Sequence, residues 1–344
     1  MKASLERITL PLSEPLVSAG GTIDQRELVL LCLEDEHGMI GWGESAPLEA
    51  FDGVSDSVCF AALERQVAAI EASPKRTGGP ALLEAARAAD ATPQALAAVD
   101  TALWDLAAQR DGVPLATLLA AEPLARVPVN AVIGAETPEV AAAQAKTAVA
   151  AGFSTLKVKV GTAGDVERLE AIRVAVGPAV NLRIDANGSW TVDEAVAALE
   201  SLQPFGIEFA EEPVSGIEKI VALRARVDAR IAIDESVGED GALVSGAADL
   251  VCLKLGRAGG ISALLAQAAL VRSSGSEVYI ASMLDGPVGI AAALHAAAAL
   301  RVTTACGLAT LDRFDGVDGG LLAPSGGAIT MPLGAGLGVG PTEA

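Results

Sequence analysis

The chain has 344 residues, of which 51% are hydrophobic, and its formal net charge at pH 7 is −20. This length exceeds that of one small domain and accommodates a β/α barrel of roughly 250 residues together with a smaller domain. The strong negative charge argues against nucleic acid or an anionic membrane surface as a partner, and an anionic substrate would require local positive charge.

The cysteines and the apolar runs indicate a cytoplasmic protein. The cysteines are widely spaced, form no C-x-x-C pair and lie in apolar segments, so we interpret them as reduced core residues. They are Cys32, Cys59, Cys252 and Cys306. The N-terminal residues, MKASLERITL, lack the apolar core of a signal peptide. The alanine-rich run 291–300 is predicted to be a buried helix, and no run approaches the length of about 20 residues that spans a membrane.

The first 50 residues are predicted to be β-structure. Two apolar runs, 27–33 and 39–43, enclose the polar turn EDEHG and predict a hairpin. The segment 17–21, VSAGG, is short and rich in glycine, which predicts a mobile loop. It would act either as a lid or as an ordinary surface turn, and Gly20 within it is a candidate substrate contact. Residues 48–53 are a second candidate for the same rim.

The next stretch, 54–111, is rich in alanine and leucine and is predicted to be helical, with a proline break near 73–80. Its last helix has Thr92 as its N-cap, and Gly112 follows its end. The buried stripe of this helix is predicted at Leu96, Val99, Leu103 and Leu106.

The stretch that organises the rest of the chain is 154–161, STLKVKVG. Because alternate residues of a strand face the same side, Lys157 and Lys159 point the same way. The chain then repeats an apolar strand, a polar residue at its end, a loop and a helix. The polar residues lie about 20–26 positions apart, which is one strand plus one helix of a (β/α)8 barrel. They are Asp185, Glu211, Asp234 and Lys254.

The barrel is predicted to begin at 128–133, and one of its helices has a capping box made by Thr191 and Glu194. The glycine-rich chain after Leu311 is predicted to return towards the N-terminal part. The later strands are predicted at 207–210, 231–233, 250–253, 277–281 and about 304–309.

The three strand-end carboxylates are hard oxygen donors that would repel one another without a cation. Since no histidine or cysteine is near them in sequence, zinc and copper are disfavoured, and Mg²⁺ or Mn²⁺ is favoured. The alternative is that each carboxylate pairs with a surface lysine or caps the following helix. Strand alternation favours Glu211 over Glu212, because Phe209 and Glu211 share one face.

The lysines suit proton transfer next to a carboxylate. A metal that binds a substrate carboxylate stabilises the enediolate formed when the α-proton leaves. Neighbouring cations are expected to lower the pKa of a lysine towards the working pH. Lys254 would face the substrate from the opposite side, either to deliver a proton or to stabilise charge, and its alternative role is a buried ion pair.

Other chemistries find little support. The two histidines are His37, in the hairpin turn, and His295, which we interpret as a packed neutral ring, so a catalytic triad is disfavoured. The glycines of GRAGGIS, 256–262, could bind an anion at a helix start. There is no G-x-G-x-x-G or P-loop motif. A Schiff-base aldolase would leave the acids unexplained, and a non-catalytic metal-binding barrel would not need the lysine pair.

Five motifs follow the strands in order: KVK at 157–159, DAN at 185–187, EEP at 211–213, DES at 234–236 and LKLGRAGGI from Leu253. This set resembles the enolase superfamily and, within it, the muconate-lactonizing subgroup. The resemblance implies an α/β fold, namely a modified (β/α)7β TIM barrel with an α+β capping domain. The implied segments are 1–127 for the N-terminal part of the capping domain, 128–314 for the catalytic barrel and 315–344 for a C-terminal segment that packs back on the capping domain.

The resemblance also implies the ligands and the catalytic roles. Mg²⁺, with Mn²⁺ as the alternative, would bind Asp185, Glu211 and Asp234. Lys159 would remove the α-proton, Lys157 would help to hold the enediolate, and Lys254 would lie against a substrate ring as a cation–π partner. Further supporting or substrate-binding candidates are Asn187, Glu235, Ser282, Asp285 and Gly20.

Two later stretches, ASMLDGPVGIAAALHAAAAL and ACGLAT, look most like o-succinylbenzoate synthases of menaquinone biosynthesis. That resemblance implies syn β-elimination of water from 2-succinyl-6-hydroxy-2,4-cyclohexadiene-1-carboxylate, a small carboxylate, in the cytoplasm, by an enzyme that forms homo-oligomers. The alternatives are N-succinylamino acid racemase, dipeptide epimerase and muconate-type cycloisomerase. Dipeptide epimerases carry Asp-x-Asp at the eighth strand, whereas Asp312 and Asp315 are spaced differently and lie later.

Overall fold

The N-terminal part of the chain folds into an antiparallel sheet and the remainder into a curled parallel sheet surrounded by helices. The structure, a computed structural model, describes residues 1–18, 21–134, 137–317 and 319–340. Among these residues no helix combines the length and the apolar character needed to cross a membrane.

The N-terminal sheet has three strands, β1 (Lys2–Ser18), β2 (Gly21–Glu34) and β3 (Ile40–Ser45), in the order β1-β2-β3. The antiparallel pairing of β2 with β3 confirms the hairpin predicted around EDEHG. The loop predicted at 17–21 is wrong in part, because Val17 pairs with Thr22 and Ser18 with Gly21. Residues 17, 18 and 21 therefore belong to the two paired strands. Gly20, the candidate substrate contact, lies outside the described residues.

Five helices follow the sheet, and the second, third and fourth of them lie within 54–111 and confirm the helical prediction there. The five helices are α1 (Glu49–Asp52), α2 (Asp56–Ala72), α3 (Gly79–Ala89), α4 (Pro93–Asp111) and α5 (Leu115–Leu119). Helix α4 is buried on more than the predicted stripe, because it packs between β3 and the barrel. Gly112 ends it in the left-handed conformation, whereas the Thr92 side chain makes no capping hydrogen bond. A small core fills the space between this layer and the sheet.

The close approach of β3 to α4 depends on glycine. A Cβ atom on Gly43 would lie 1.9 Å from the carbonyl oxygen of Ala98, which is helix backbone and cannot rotate away. We therefore expect Gly43→Ala to lower the free energy of unfolding by about 1–3 kcal/mol, the usual range for overpacking. Urea denaturation measures this change. Gly78→Ala is the matched control, because Gly78 has an extended backbone and open space around it; an equal loss in both variants would contradict the steric explanation.

The barrel sheet has seven parallel strands, in the order β11-β10-β9-β8-β7-β6-β5. A short strand, β4 (Arg126–Pro128), precedes them. The barrel strands are β5 (Ala131–Ile133), β6 (Thr155–Lys159), β7 (Asn181–Asp185), β8 (Ile207–Glu211), β9 (Ile231–Ile233), β10 (Leu250–Leu253) and β11 (Glu277–Ile280). The predicted β8, β9, β10 and β11 are confirmed to within one residue.

The eighth strand, predicted at about 304–309, is not formed as a regular strand in the described part of the chain. Two isolated parallel bridges close the barrel instead, Val129 with Cys306 and Ala281 with Gly307. The backbone N–H of Cys306 donates to the carbonyl of Pro128, at 2.7 Å, and that of Gly307 to the carbonyl of Ile280, at 2.9 Å. One residue thus pairs on each side, which is too short for a strand.

Helices lie between most consecutive barrel strands, but only two 3-10 turns connect β9 to β10, whereas two helices connect β10 to β11. The barrel helices are α6 (Pro138–Ala150), α7 (Asp165–Val176), α8 (Val192–Leu202), α9 (Ile217–Arg224), α10 (Leu255–Ala258), α11 (Ile261–Ser273) and α12 (Pro287–Ala299). The capping box predicted for Thr191 and Glu194 is present at the start of α8. Helix α12 is almost entirely buried, as its alanine-rich sequence predicts.

The C-terminal segment contacts the N-terminal half. Strand β12 (Ala328–Thr330) pairs with β4, and the backbone N–H of Leu337 donates to Asp105 Oδ1 at 2.8 Å. In α12, His295 Nδ1 accepts from the N–H of Ala116 at 2.9 Å, so its Nε2 donates to the carbonyl of Leu337 at 3.0 Å. Burial lowers the pKa of His295 to about 4, which confirms a packed neutral ring. The exact segment boundaries stay a prediction.

Candidate active site

The strand register aligns the polar residues at the carboxyl edge of the barrel sheet. Lys159 on β6 pairs with Asp185 on β7, and Asp185 pairs with Glu211 on β8. Asp234 directly follows β9, and Lys254 directly follows β10. Because all these strands are parallel, their carboxyl ends meet at one mouth, where TIM barrels carry their active sites.

The lysine pair faces the carboxylates, as the alternation of KVK predicts. Lys157 Nζ lies 2.7 Å from Glu211 Oε1 and 2.9 Å from Asp185 Oδ2. Lys159 Nζ lies 2.7 Å from the same Asp185 oxygen and donates to Asn187 Oδ1 at 2.8 Å. The two ammonium groups therefore share one carboxylate oxygen, which offsets their mutual repulsion.

Two of the supporting candidates join this cluster. Asn187 adopts a left-handed backbone, with φ of 46°, and its side-chain amide donates to Glu235 Oε1 at 2.9 Å. Its backbone N–H also donates to Asp185 Oδ1, at 3.0 Å. Asn187 thus links Lys159, Asp185 and Glu235 in one hydrogen-bond chain.

Lys254 forms the opposite side of the mouth. Its Nζ lies 2.6 Å from Asp234 Oδ2, and it stands 3.7 Å from the ring centroid of Phe51 in α1. Arg257 donates to the backbone carbonyls of Asp234 and Glu235, each at 3.0 Å. The sequence analysis missed Phe51 and Arg257 as individual residues, although 48–53 was a candidate rim segment.

Glu212 has a different function from Glu211. Its carboxylate accepts from the N–H of Asp234 at 2.7 Å and from the N–H of Ser236 at 3.1 Å, and the Ser236 hydroxyl also donates to it. Burial raises the pKa of Glu212 to about 8. Glu212 therefore holds the turn that presents Asp234, while the Glu211 side chain points into the barrel beside Lys157.

The donor set fits a divalent cation. Glu211 Oε2 and Asp234 Oδ1 are buried and have no hydrogen-bond partner among the described residues. Leaving a buried carboxylate oxygen bare is costly, and a cation removes that cost. Asp185 completes the set of oxygen donors on three consecutive strands.

A cysteine lies beside these carboxylates in space, although it is distant from them in sequence. Cys252 Sγ and one carboxylate oxygen each from Glu211 and Asp234 lie within 4.8 Å of one another. Cys252 precedes Lys254 by two residues on β10, so strand alternation alone could have predicted that it faces inwards.

The electrostatics of the cluster follow from burial and from the ion pairs. Burial, followed by Asp185 and Asp234, raises the pKa of Glu211 to about 7 against the opposing effect of Lys157. Burial opposes the charge of Lys157 and Lys254, but the contacting carboxylates outweigh it and raise the pKa of both. This direction is opposite to the expected lowering, because each ammonium contacts carboxylates more closely than other cations.

Ser282 and Asp285 belong to a second polar group. Ser282 Oγ accepts from the N–H of Asp285 at 2.9 Å. Burial raises the pKa of Asp285, and Arg26 on β2 is the largest opposing influence. Glu44 on β3 accepts from the N–H groups of Gly286 and Gly289, at 2.7 and 3.2 Å, at the start of α12. This group joins the N-terminal sheet to the barrel, a connection that the sequence did not reveal.

A β/α barrel with lysines and carboxylates at its strand ends, together with a separate N-terminal sheet, is the arrangement of one class of barrel enzymes. Residues 140–344 match the model of the enolase C-terminal domain-like family, and residues 4–120 match that of the mandelate racemase / muconate lactonizing enzyme N-terminal domain. The chain belongs to the enolase superfamily and is an enzyme of that superfamily.

Similar proteins include epimerases, synthases and an N-succinyl Arg/Lys racemase. The chain is 33% identical to an L-Ala-D/L-Glu epimerase of Bacillus subtilis over 98% of its own length and 96% of that protein. It is 42% identical to an o-succinylbenzoate synthase of Thermobifida fusca, over 54% of this chain and 60% of that one. A dipeptide epimerase of Enterococcus faecalis, solved with Mg and the dipeptide L-Leu-L-Tyr, has a TM-score of 0.91 and 30% identity, with 98% of each chain covered.

Proposed function

We propose that this enzyme is a Mg²⁺-dependent o-succinylbenzoate synthase, which eliminates water from 2-succinyl-6-hydroxy-2,4-cyclohexadiene-1-carboxylate. The observation that carries the proposal is the position of Lys254. Its ammonium stands 3.7 Å from the centre of a flat ring, that of Phe51, so this wall of the mouth suits a cation–π contact. A cyclic substrate that displaces Phe51 would receive the same contact.

The two sides of the mouth then have different roles. Strands β6 and β10 lie four strand positions apart in the closed barrel, so Lys159 and Lys254 face each other across it. In its neutral form Lys159 takes the α-proton and returns it to the departing hydroxide, which leaves as water. Lys157 and Lys254 supply positive charge. When bound to Asp185, Glu211 and Asp234, Mg²⁺ would neutralise charge that develops on the substrate carboxylate.

Dipeptide epimerisation is the second candidate, because the epimerases match the chain over nearly its full length. A dipeptide carries an ammonium group, and binding it requires a carboxylate near the position of the eighth strand. That position carries Gly307, Leu308, Ala309 and Thr310. Asp312 and Asp315, the acids that follow, are exposed on the surface. The synthase is therefore the first proposal, and the 42% identity to a synthase across half of the chain supports it.

The deciding experiment mixes the enzyme, Mg²⁺ and the cyclohexadiene substrate and follows the ultraviolet change as the ring becomes aromatic. We expect turnover that EDTA abolishes and added Mg²⁺ restores. Exchange of the α-proton in D₂O, tested on dipeptides and on N-succinylamino acids, is the parallel assay. Exchange on dipeptides without any dehydration would overturn the synthase proposal in favour of the epimerase.

We also propose that the enzyme acts in the cytoplasm. All four cysteines are free thiols, which fits a reducing compartment.

A further inference from the structure

Cys252 places a soft ligand beside the hard carboxylates of the candidate metal centre. Its Sγ and one oxygen each of Glu211 and Asp234 lie within 4.8 Å of one another. All three residues are at least 97% buried. A separation of this size is what three ligands around one cation would have after a small adjustment of their side chains.

The second observation is that one oxygen of each carboxylate accepts no hydrogen bond, although Asp234 Oδ1 has a longer ion-pair contact with Arg257 Nη1, at 3.8 Å. Glu211 Oε2 and Asp234 Oδ1 are buried and accept no hydrogen bond from the described residues. The other oxygens are engaged, since Lys157 contacts Glu211 Oε1 and Lys254 contacts Asp234 Oδ2. The oxygens that can still bind a cation therefore belong to Glu211 and Asp234, the two carboxylates beside Cys252.

Asp185 differs from these two carboxylates. One of its oxygens is contacted by both Lys157 and Lys159, and the other accepts from the backbone N–H of Asn187. The donor atoms that remain for a cation therefore lie at the carboxyl ends of β8 and β9 and on β10, which carries the Cys252 thiol. A set of one thiol and two carboxylates is softer than the all-oxygen sets that Mg²⁺ and Ca²⁺ prefer.

We propose that Cys252, Glu211 and Asp234 form a binding site for a thiophilic divalent cation of the Zn²⁺ or Cd²⁺ class. The site overlaps the proposed Mg²⁺ site, shares two of its ligands and does not depend on which reaction the enzyme catalyses. Binding breaks the S–H bond of Cys252, forms a sulfur–metal bond and releases the proton to solvent, without any change of oxidation state. The three protein ligands leave a fourth position for water.

The consequence is competition between metals. Divalent zinc binds mixed sulfur and oxygen ligands far more tightly than magnesium does. A thiophilic ion at Cys252 would occupy two of the three carboxylates that Mg²⁺ needs and would inhibit the enzyme. Replacing Cys252 by serine would remove the soft ligand and leave every oxygen donor in place, so the affinity for Mg²⁺ should stay within about threefold.

The test titrates metal-free, full-length protein with Cd²⁺ and records the ultraviolet thiolate-to-cadmium charge-transfer band. We expect a band that saturates at one equivalent in the wild type and in Cys306→Ser, whose thiol is buried elsewhere in the barrel. The band should be absent in Cys252→Ser, and calorimetry should show Cd²⁺ affinity at least tenfold weaker. A band that persists in Cys252→Ser, or one that never forms in the wild type, would overturn the proposal.

Two further variants keep the outcome unambiguous. A triple variant, Cys32→Ser, Cys59→Ser and Cys306→Ser, leaves Cys252 as the sole cysteine and should retain the band even if Cys252→Ser does not fold. Glu211→Gln should weaken both Cd²⁺ and Mg²⁺. Because the band needs no substrate, its presence together with failed dehydration would reject only the synthase proposal, and its absence with normal dehydration would reject only the thiophilic site.

Discussion

Lys159→Ala will lower the turnover of the cyclohexadiene substrate by about 10³-fold, because removal of a general base costs between 10² and 10⁴ in rate. Of the two paired lysines, Lys159 is the more exposed, at 32% of its side chain against 14% for Lys157. It therefore reaches further towards the mouth. Lys157 still contacts both Asp185 and Glu211 in the variant, so these carboxylates keep a compensating charge.

The measurement is the rate of dehydration at saturating Mg²⁺, together with the Mg²⁺ affinity from calorimetry. Lys146→Ala is the matched control, since Lys146 is an exposed lysine on the surface of α6. We expect normal turnover in this control and Mg²⁺ binding in both variants. Turnover of Lys159→Ala within tenfold of the wild type would show that another group removes the proton.

Acidification from pH 6.5 to 4 will remove about 3 kcal/mol of stability that depends on His295. The unfolded ring has an ordinary pKa of 6.5, whereas burial lowers the pKa of the folded ring to about 4. Between these values the unfolded chain binds a proton that the folded chain does not, so the free energy of unfolding falls as the pH falls. Protonation of Nδ1 would also break its hydrogen bond with Ala116.

The measurement compares the free energy of unfolding of wild type and His295→Gln from pH 7.5 down to 4. The variant lacks the titrating ring, so its deficit relative to the wild type should shrink by about 3 kcal/mol across this range. His37→Gln serves as the control, because His37 is exposed in the hairpin turn and makes no buried hydrogen bond with its ring among the described contacts. A deficit that stays constant with pH would contradict a neutral, buried His295.

The catalytic face of the barrel was predictable because its signal is local. Strand alternation alone places Lys157 and Lys159 on one side, and the contacts of both with Asp185 confirm it. The spacing between strand ends predicts that Asp185 and Glu211 lie at the same edge of the sheet, and the two residues do pair in register. Periodicity therefore suffices wherever each residue belongs to a regular strand.

The remainder depends on contacts between segments that are distant in the chain. Phe51 reaches Lys254 from the N-terminal half, and Glu44 reaches the start of α12 across more than 240 residues. No local sequence pattern predicts contacts between residues so far apart in the chain. The eighth strand was predicted at about 304–309, but only Cys306 and Gly307 form bridges there, because closing the barrel at this point needs only one paired residue on each side.

The last described residues contact the N-terminal half of the chain, and these contacts affect the order in which the protein folds during synthesis. Phe314 bridges to Leu12, Gly336 bridges to Pro114, and the N–H of Leu337 is held by Asp105. Asp105 is a buried residue of α4 that also accepts from the N–H of Trp42 on β3, and its partner Leu337 follows it by 232 residues in the chain. During synthesis the N-terminal sheet and helices therefore emerge first yet stay unfinished until nearly the whole chain has been translated. Their apolar surface stays exposed in that interval, which favours aggregation of the nascent chain until the C-terminal segment docks.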